Sequence, residues 1–265
     1  MLGGQGLAEK AVTVVIGQIS YKGPDVHCYA SHYEFFHYLG KLQERSAWAN
    51  NVPDELDPAT NGRAELQPGD PEFRFFSAVH TGNSLIGQAR DAVVEKALEY
   101  EADYLFFFDD DMIFARDTFL RLWRRQKDII GALAFTARHP IAPVIWKFKK
   151  TWDFDKRAES VDSVPMLDYP KDQLVQVDCI GTGVVLINMD VFRRLKKPWF
   201  HGAVGAGEDF HFCWNAGKAG FQIYCDTSVK TLHKPNAPPW HDEQMYLNSP
   251  ESALRHREEI LNAVK

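Results

Sequence analysis

The chain has 265 residues, of which 45% are apolar and 25% charged, and its formal net charge is −6. That length and apolar share suit one large α/β domain with a sizeable core, and the ordinary charge content excludes general disorder. The acidic balance argues against a surface built to coat nucleic acid and leaves room only for a local basic patch. Four cysteines, Cys28, Cys179, Cys213 and Cys225, form no CxxC pair. They read as reduced, mostly buried thiols of a cytoplasmic protein rather than as a zinc site. The opening MLGGQGLAEKAVTVVIG has no basic start and no long apolar stretch, so it does not read as a signal peptide. Runs such as LFFF and IIGALAF are too short to span a bilayer, which makes a soluble or peripheral protein the expectation.

In chain order, the β-branched run 11–17 predicts a buried first strand and 26–42 a helix. Residues 49–70, rich in Pro, Asn, Asp and Gly, read as a surface excursion, and FRFFSAV at 73–79 as a second strand. Residues 84–101 predict a helix, with Leu85, Ala89, Val93 and Ala97 on one stripe and Asn83 or Ser84 as its cap. Strands follow at 104–108, 128–135 and 143–148, with a short helix at 117–125. This alternation implies a mainly parallel central sheet with helices on both faces. Further on, 149–172 reads as a loop, 175–178 and 184–188 as strands, and 190–195 as a short helix. The glycine-rich stretch PWFHGAVGAG leads into a helix at 208–219 that ends at Gly220, with a strand at 221–225. Ser249 and Pro250 open a last helix, 250–264. No repeat or linker divides the chain, so 1–265 is read as a single domain.

YLFFFDDDM concentrates the chemistry. A strand without a polar residue lies in the middle of a sheet, and it delivers Asp109, Asp110 and Asp111 at its carboxyl end, where open α/β sheets bind ligands. Adjacent carboxylates repel, by about 1 kcal/mol at ~5 Å in water-like surroundings, and a hard divalent cation such as Mg²⁺ or Mn²⁺ removes that penalty while bridging to substrate phosphates. In an extended segment Asp109 and Asp111 point to the same side. The plain alternative is a solvated acidic turn that caps the following helix.

Residues 87–112, GQARDAVVEKALEYEADYLFFFDDDM, resemble the core of GT-A fold glycosyltransferases, particularly family-2-like enzymes, in which an arginine near a helix start precedes a buried strand ending in a D-x-D motif. That resemblance implies a nucleotide-binding half at about 11–112 and an acceptor-side half at about 113–248. It implies Asp111 as a direct metal ligand, Asp109 on the metal or the ribose, and Asp110 in the variable position. Arg90 would face the nucleotide or its diphosphate, and Gly17 and Gln18 the base and ribose. Gly181, Thr182 and Gly183 would lie near the donor sugar and the acceptor. Glu208-Asp209 matches the family's E-D pair, with Asp209 as the base of an inverting transfer and Glu208 as a sugar or acceptor contact. His233 would complete the metal site, with His241 as its rival, and the stretch 202–207 would close as a lid.

The implied cofactor is Mn²⁺ or Mg²⁺, and the implied partners are a nucleoside-diphosphate sugar and a hydroxyl acceptor: a glycan, a lipid-linked sugar, a protein or a modified nucleic acid. Trp146, Trp152, Phe154, Trp199 and Phe200 could stack on sugars, although core filling is the ordinary use of each. Lys147, Lys149 and Lys150 form a basic patch or a solvated face. A nucleotidyltransferase is the rival enzyme class, but GQISYKGPD lacks its glycine-rich basic phosphate loop. A non-catalytic nucleotide-sugar-binding module is the other alternative.

Overall fold

The computed structural model describes residues 11–20, 26–47, 66, 70–81, 85–137, 140–148, 163–202, 207–234 and 243. The strands and helices are β1 (Val12–Ser20), α1 (Val26–Ala47), β2 (Phe73–Thr81), α2 (Ile86–Glu99), β3 (Tyr104–Asp109), β4 (Met112–Phe114), α3 (Thr118–Trp123) and β5 (Ile129–Leu133). They continue with β6 (Ile145–Phe148), β7 (Ser163–Pro165), β8 (Leu174–Val177), β9 (Cys179–Ile180), β10 (Val184–Asn188), α4 (Met189–Arg194), α5 (Glu208–Lys218) and β11 (Ile223–His233). The central sheet runs β2-β1-β3-β10-β5-β11-β4, and β8 also pairs with β11. Strands β2, β1, β3, β5 and β11 point one way; β10 is antiparallel to both its neighbours, and β4 and β8 are antiparallel to β11.

The apolar runs are explained by coverage on both faces. Val15, Phe107, Ile129, Val185 and Ile223 pack with Ala89, Val93 and Ala97 of α2, Phe192 of α4 and Phe212 of α5. On the other face Val14, Phe106, Phe108, Ile130 and Leu186 pack with Phe35 and Leu39 of α1 and Phe119 and Leu122 of α3. A strand buried on both faces tolerates no polar alternation, so β3 reads as a continuous aromatic run. α5 stops as its sequence implies: Gly220, at φ +90°, takes the left-handed position just past the C-cap Ala219.

Several boundaries differ from the expectation. Strand β1 continues to Ser20, and β11 runs past Cys225 to His233 across a register shift between Asp226 and Lys230. Strand β4 has only three residues, too few to carry a readable pattern. Residues 145–148 belong to a separate sheet of order β7-β6-β9. Helix α2 starts from Leu85 without a side-chain cap, and Asn83, Ser84, the segment 149–162, His241 and the helix expected at 250–264 lie outside the described residues. All four cysteines are buried thiols outside any disulfide, and among the described residues no helix is long and apolar enough to cross a membrane.

Candidate active site

The three aspartates do not form one extended face. Asp109 ends β3, while Asp110 and Asp111 make the turn into β4. Main-chain bonds clamp this turn to β1 and to the residues that flank β10 and β11. Asp109 N donates to Gly183 O (3.0 Å), Asp110 N to Ile19 O (3.1 Å), and Lys234 N to Asp111 O (2.9 Å). The side chains therefore diverge: Asp109 meets Arg90, Asp110 meets Ser20 Oγ (2.7 Å), and Asp111 meets His233. A two-residue turn replaces the extended geometry expected for Asp109 and Asp111.

His233 reaches Asp111 because the second half of β11 bends across to pair with β4, placing His233 opposite Met112. Its Nδ1 lies 2.6 Å from Phe135 O. A carbonyl only accepts, so Nδ1 carries the proton and Nε2 presents its lone pair to Asp111 Oδ2, 3.3 Å away. Two acceptors face each other unless a proton or a cation lies between them. Burial lowers the His233 pKa, but the Asp111 carboxylate outweighs it and raises the imidazole overall. A backbone carbonyl on the far nitrogen is also the usual support of a metal-bound histidine.

Among the described residues no three His, Cys, Asp or Glu side chains converge as metal ligands. Asp109 is held off by Arg90, although its Oδ1 is buried without a hydrogen-bond partner. The donor set thus fits a divalent cation that takes Asp111 and His233 from the protein and the rest from phosphate and water, the usual habit of Mg²⁺ and Mn²⁺ at nucleotides.

Arg90 is the largest departure from the expected site. It is 2% exposed. Its Nη2 donates to Asp109 Oδ2 (2.9 Å), its Nε lies 3.3 Å from Glu208 Oε1, and its guanidinium lies over the Phe107 ring. The side chain is a buried clamp between two carboxylates rather than an open contact for a diphosphate. Burial alone would lower its pKa, but Asp109 and Glu208 raise it, so the group is always charged. Asp109 is raised as well: burial outweighs the attraction of Arg90. Both groups move upward, which favours the charged guanidinium and the neutral carboxyl, and arginine stays charged because it does not deprotonate in proteins.

Glu208 and Asp209 open α5 in its first turn. Burial, aided by the Glu208 charge, pushes Asp209 up to about 7, against the pull of Arg90 and of the Phe210 N–H, which donates to Asp209 Oδ1 at 2.9 Å. A carboxylate tuned to neutral pH suits a general base. Gly207 makes room for it, since a Cβ there would sit 2.7 Å from Asp209 Oδ1. Gly207→Ala is therefore expected to turn the Asp209 carboxylate aside and to move the pH midpoint of activity, with a small loss of stability; a pH–rate profile beside a thermal melt checks both.

Of the other sequence candidates, Gly17 carries no ligand space. A Cβ there would lie 2.6 Å from Val93 Cγ1, so the glycine lets α2 pack on β1, and the strand end lies three residues later at Ser20. Gln18 is half-buried between Val79 of β2 and Phe108 of β3. Of Gly181, Thr182 and Gly183, only Gly183 is seen against the acidic turn, approaching Asp109 Oδ2; Gly181 packs on Val144, and Thr182 Oγ1 is buried without a hydrogen-bond partner. Trp199 and Phe200 fill the core, Phe200 stacking on Phe212, while Trp146 packs against Phe210 and Lys147 pairs with Asp178. Residues 203–206 of the expected lid lie outside the described residues, as do Trp152, Phe154, Lys149 and Lys150. Two cavities, of about 290 and 250 Å³, lie elsewhere, one beside Trp214 and Lys218 and one beside Tyr104 and Arg193.

Sequence reasoning missed the residues that set α2 against the start of α5. Gly87 lets α2 approach so closely that a Cβ would sit 2.3 Å from Phe200 O. Asp91 Oδ1 then accepts from Trp199 N (3.1 Å) and Phe200 N (2.9 Å). A glycine inside a helical pattern was the available signal, since such a position usually has a packing reason.

The sequence matches no family model and no curated protein. Among solved structures it resembles A197 from STIV, at 14% identity over 82% of this chain and 84% of that one, with a TM-score of 0.47. It also resembles GalNAc-T7 solved with UDP, GalNAc and Mn2+, at 14% identity and a TM-score of 0.51, over 88% of this chain and 46% of that one. The apo form of UDP-glucose pyrophosphorylase follows at 8% identity and a TM-score of 0.42, over 92% of this chain and 99% of that one. The chain has the GT-A fold. It spans under half the length of GalNAc-T7, and an identity of 14% extends the likeness to the fold alone.

Proposed function

We propose that this GT-A chain is a metal-dependent glycosyltransferase that moves a sugar from a nucleoside-diphosphate sugar to an acceptor hydroxyl. The observation that carries the reading is the meeting, at one end of the sheet, of the Asp111–His233 pair with the Asp109–Arg90–Glu208 clamp, which leads directly to Asp209. The solved likeness to a structure containing UDP, GalNAc and Mn2+ supports the same substrate class.

In this reading Asp111 and His233 would hold Mn²⁺ or Mg²⁺, which supplies neutralising charge for the leaving diphosphate. Phe135 O keeps the His233 Nε2 lone pair directed at Asp111. Arg90 fixes Asp109 and Glu208 in one arrangement, and Asp209 takes the proton of the acceptor hydroxyl as that oxygen attacks the sugar carbon. Attack from the face opposite the departing diphosphate inverts the anomeric centre. Asp110, tied to Ser20, stiffens the turn rather than touching substrate.

Asp111→Asn tests the metal half. The expected result is loss of Mn²⁺-stimulated hydrolysis of the donor, by about 10-fold or more, with an unchanged melting temperature in the absence of metal. Full activity in Asp111→Asn would sink the assignment.

A further inference from the structure

Asp111 sits in a turn whose far side is the short strand β4, and among the described residues β4 pairs with a strand on one edge, through Thr231, Leu232 and His233. In an antiparallel pair alternate residues turn their main-chain groups away from the partner strand. Three of the groups that β4 turns away are taken by two adjacent side chains of α1. Ser31 Oγ donates to Phe114 O (2.9 Å) and accepts from Phe114 N (3.1 Å), so one hydroxyl occupies both main-chain groups of that residue. His32 Nε2 donates to Met112 O (2.9 Å), the carbonyl of the residue directly after Asp111. His32 is 4% exposed, its ring lies 4.6 Å from that of Phe108, and its Nδ1 has no hydrogen-bond partner. A polar ring in so apolar a place is costly unless its one bond has a use.

We propose that His32 and Ser31 are positioning residues: α1 acts through them as a substitute edge strand that holds β4, and so sets the separation of Asp111 from His233. The inference rests on the metal reading of Asp111 and His233 for its functional consequence, but its geometric content stands apart from it. A strand of three residues with one paired edge has little stability of its own. Without the α1 bonds, the main chain at 112–114 loses its three side-chain bonds, and Asp111 loses its fixed approach to the imidazole.

The test compares the full chain with His32→Phe, which keeps a ring between Phe108 and Phe114 but removes the N–H, and with His32→Gln, whose amide can restore a donor. Hydrogen–deuterium exchange of residues 109–114 is measured without metal. Binding of Mn²⁺ with UDP is measured by the free-Mn²⁺ paramagnetic resonance signal. The expected result is exchange at 109–114 faster by about tenfold in His32→Phe with α2 unchanged, Mn²⁺ binding weaker by about tenfold, and recovery of both in His32→Gln. Unchanged exchange at 109–114 in folded His32→Phe would overturn the proposal, as would equal loss in both variants. If the wild-type chain binds no Mn²⁺ with UDP, the metal reading fails, and the exchange result alone decides the positioning claim. Ser31→Ala serves the same measurements should His32→Phe not fold, with faster exchange at 109–114 expected and unchanged exchange contradicting it.

Discussion

Asp209→Asn is expected to lower kcat by about 10²- to 10⁴-fold, the usual worth of a positioned general base. The loss should come with a change of pH profile. Burial and the Glu208 charge set Asp209 at about 7, so wild-type activity should climb with pH through that midpoint as the carboxylate ionises. In Asp209→Asn that rising limb should vanish. Stability moves the opposite way. A carboxyl whose folded pKa lies above its unfolded value favours the fold fully below the unfolded pKa of 3.8, and this contribution is lost as pH rises through about 7. Between pH 5 and pH 8 the wild-type chain should therefore lose on the order of 2 kcal/mol that the asparagine variant keeps. Urea denaturation at the two pH values, beside initial rates across the same range, checks both signs. An unchanged pH midpoint in the variant would place the base elsewhere.

The second large effect belongs to Arg90. Arg90→Ala should destabilise the chain by about 3–5 kcal/mol, because it leaves Asp109 and Glu208 covered without the cation that both face. Arg90→Lys should recover only part of this, since a single ammonium cannot reproduce the fork whose Nη2 serves Asp109 and whose Nε serves Glu208. The double variant Arg90→Ala with Asp109→Asn should be more stable than Arg90→Ala alone, because the stranded carboxyl is gone. Chemical denaturation of the wild-type chain, Arg90→Ala, Asp109→Asn and the double variant measures the coupling directly. Strict additivity would mean that the two side chains do not form the clamp described.

The central strands were legible because burial on both faces leaves an unmistakable mark. The LFFF of β3, the IIGAL of β5 and the VVLI of β10 are apolar throughout, and each lies inside the sheet. Helix α5 was legible at both ends, from Glu208-Asp209 in its first turn and from Gly220 beyond its last. The second half of β11 was not, because Thr227, Ser228 and Lys230 break the apolar pattern where the strand bends away to meet β4. At Gly17, a glycine after a β-branched run looked like a strand end, whereas its use is to admit Val93.

The residue types of the site could be read from the sequence, but their partnerships depend on topology. Asp111 and His233 are 122 positions apart, and Arg90 and Glu208 are 118 apart. No local pattern announces that Arg90 is buried, since an arginine near a helix start is ordinarily solvated. The close approach at Gly87, next to Phe200 O and Glu208 Cβ, and the bonds from Trp199 and Phe200 to Asp91 hold the start of α5 near it.

The most direct test of the account is mass spectrometry of the products formed from a panel of nucleoside-diphosphate sugars with Mn²⁺, comparing the wild-type chain with Asp111→Asn and Asp209→Asn. The account predicts a free nucleoside diphosphate and a released or transferred sugar from the wild-type chain, about tenfold less or lower from Asp111→Asn, and about 10²- to 10⁴-fold less transferred sugar from Asp209→Asn. Formation of a nucleoside triphosphate from the same donors with added pyrophosphate would assign the site to nucleotidyl transfer, and donor binding without turnover would make it a binding module; either result would contradict glycosyl transfer at this site.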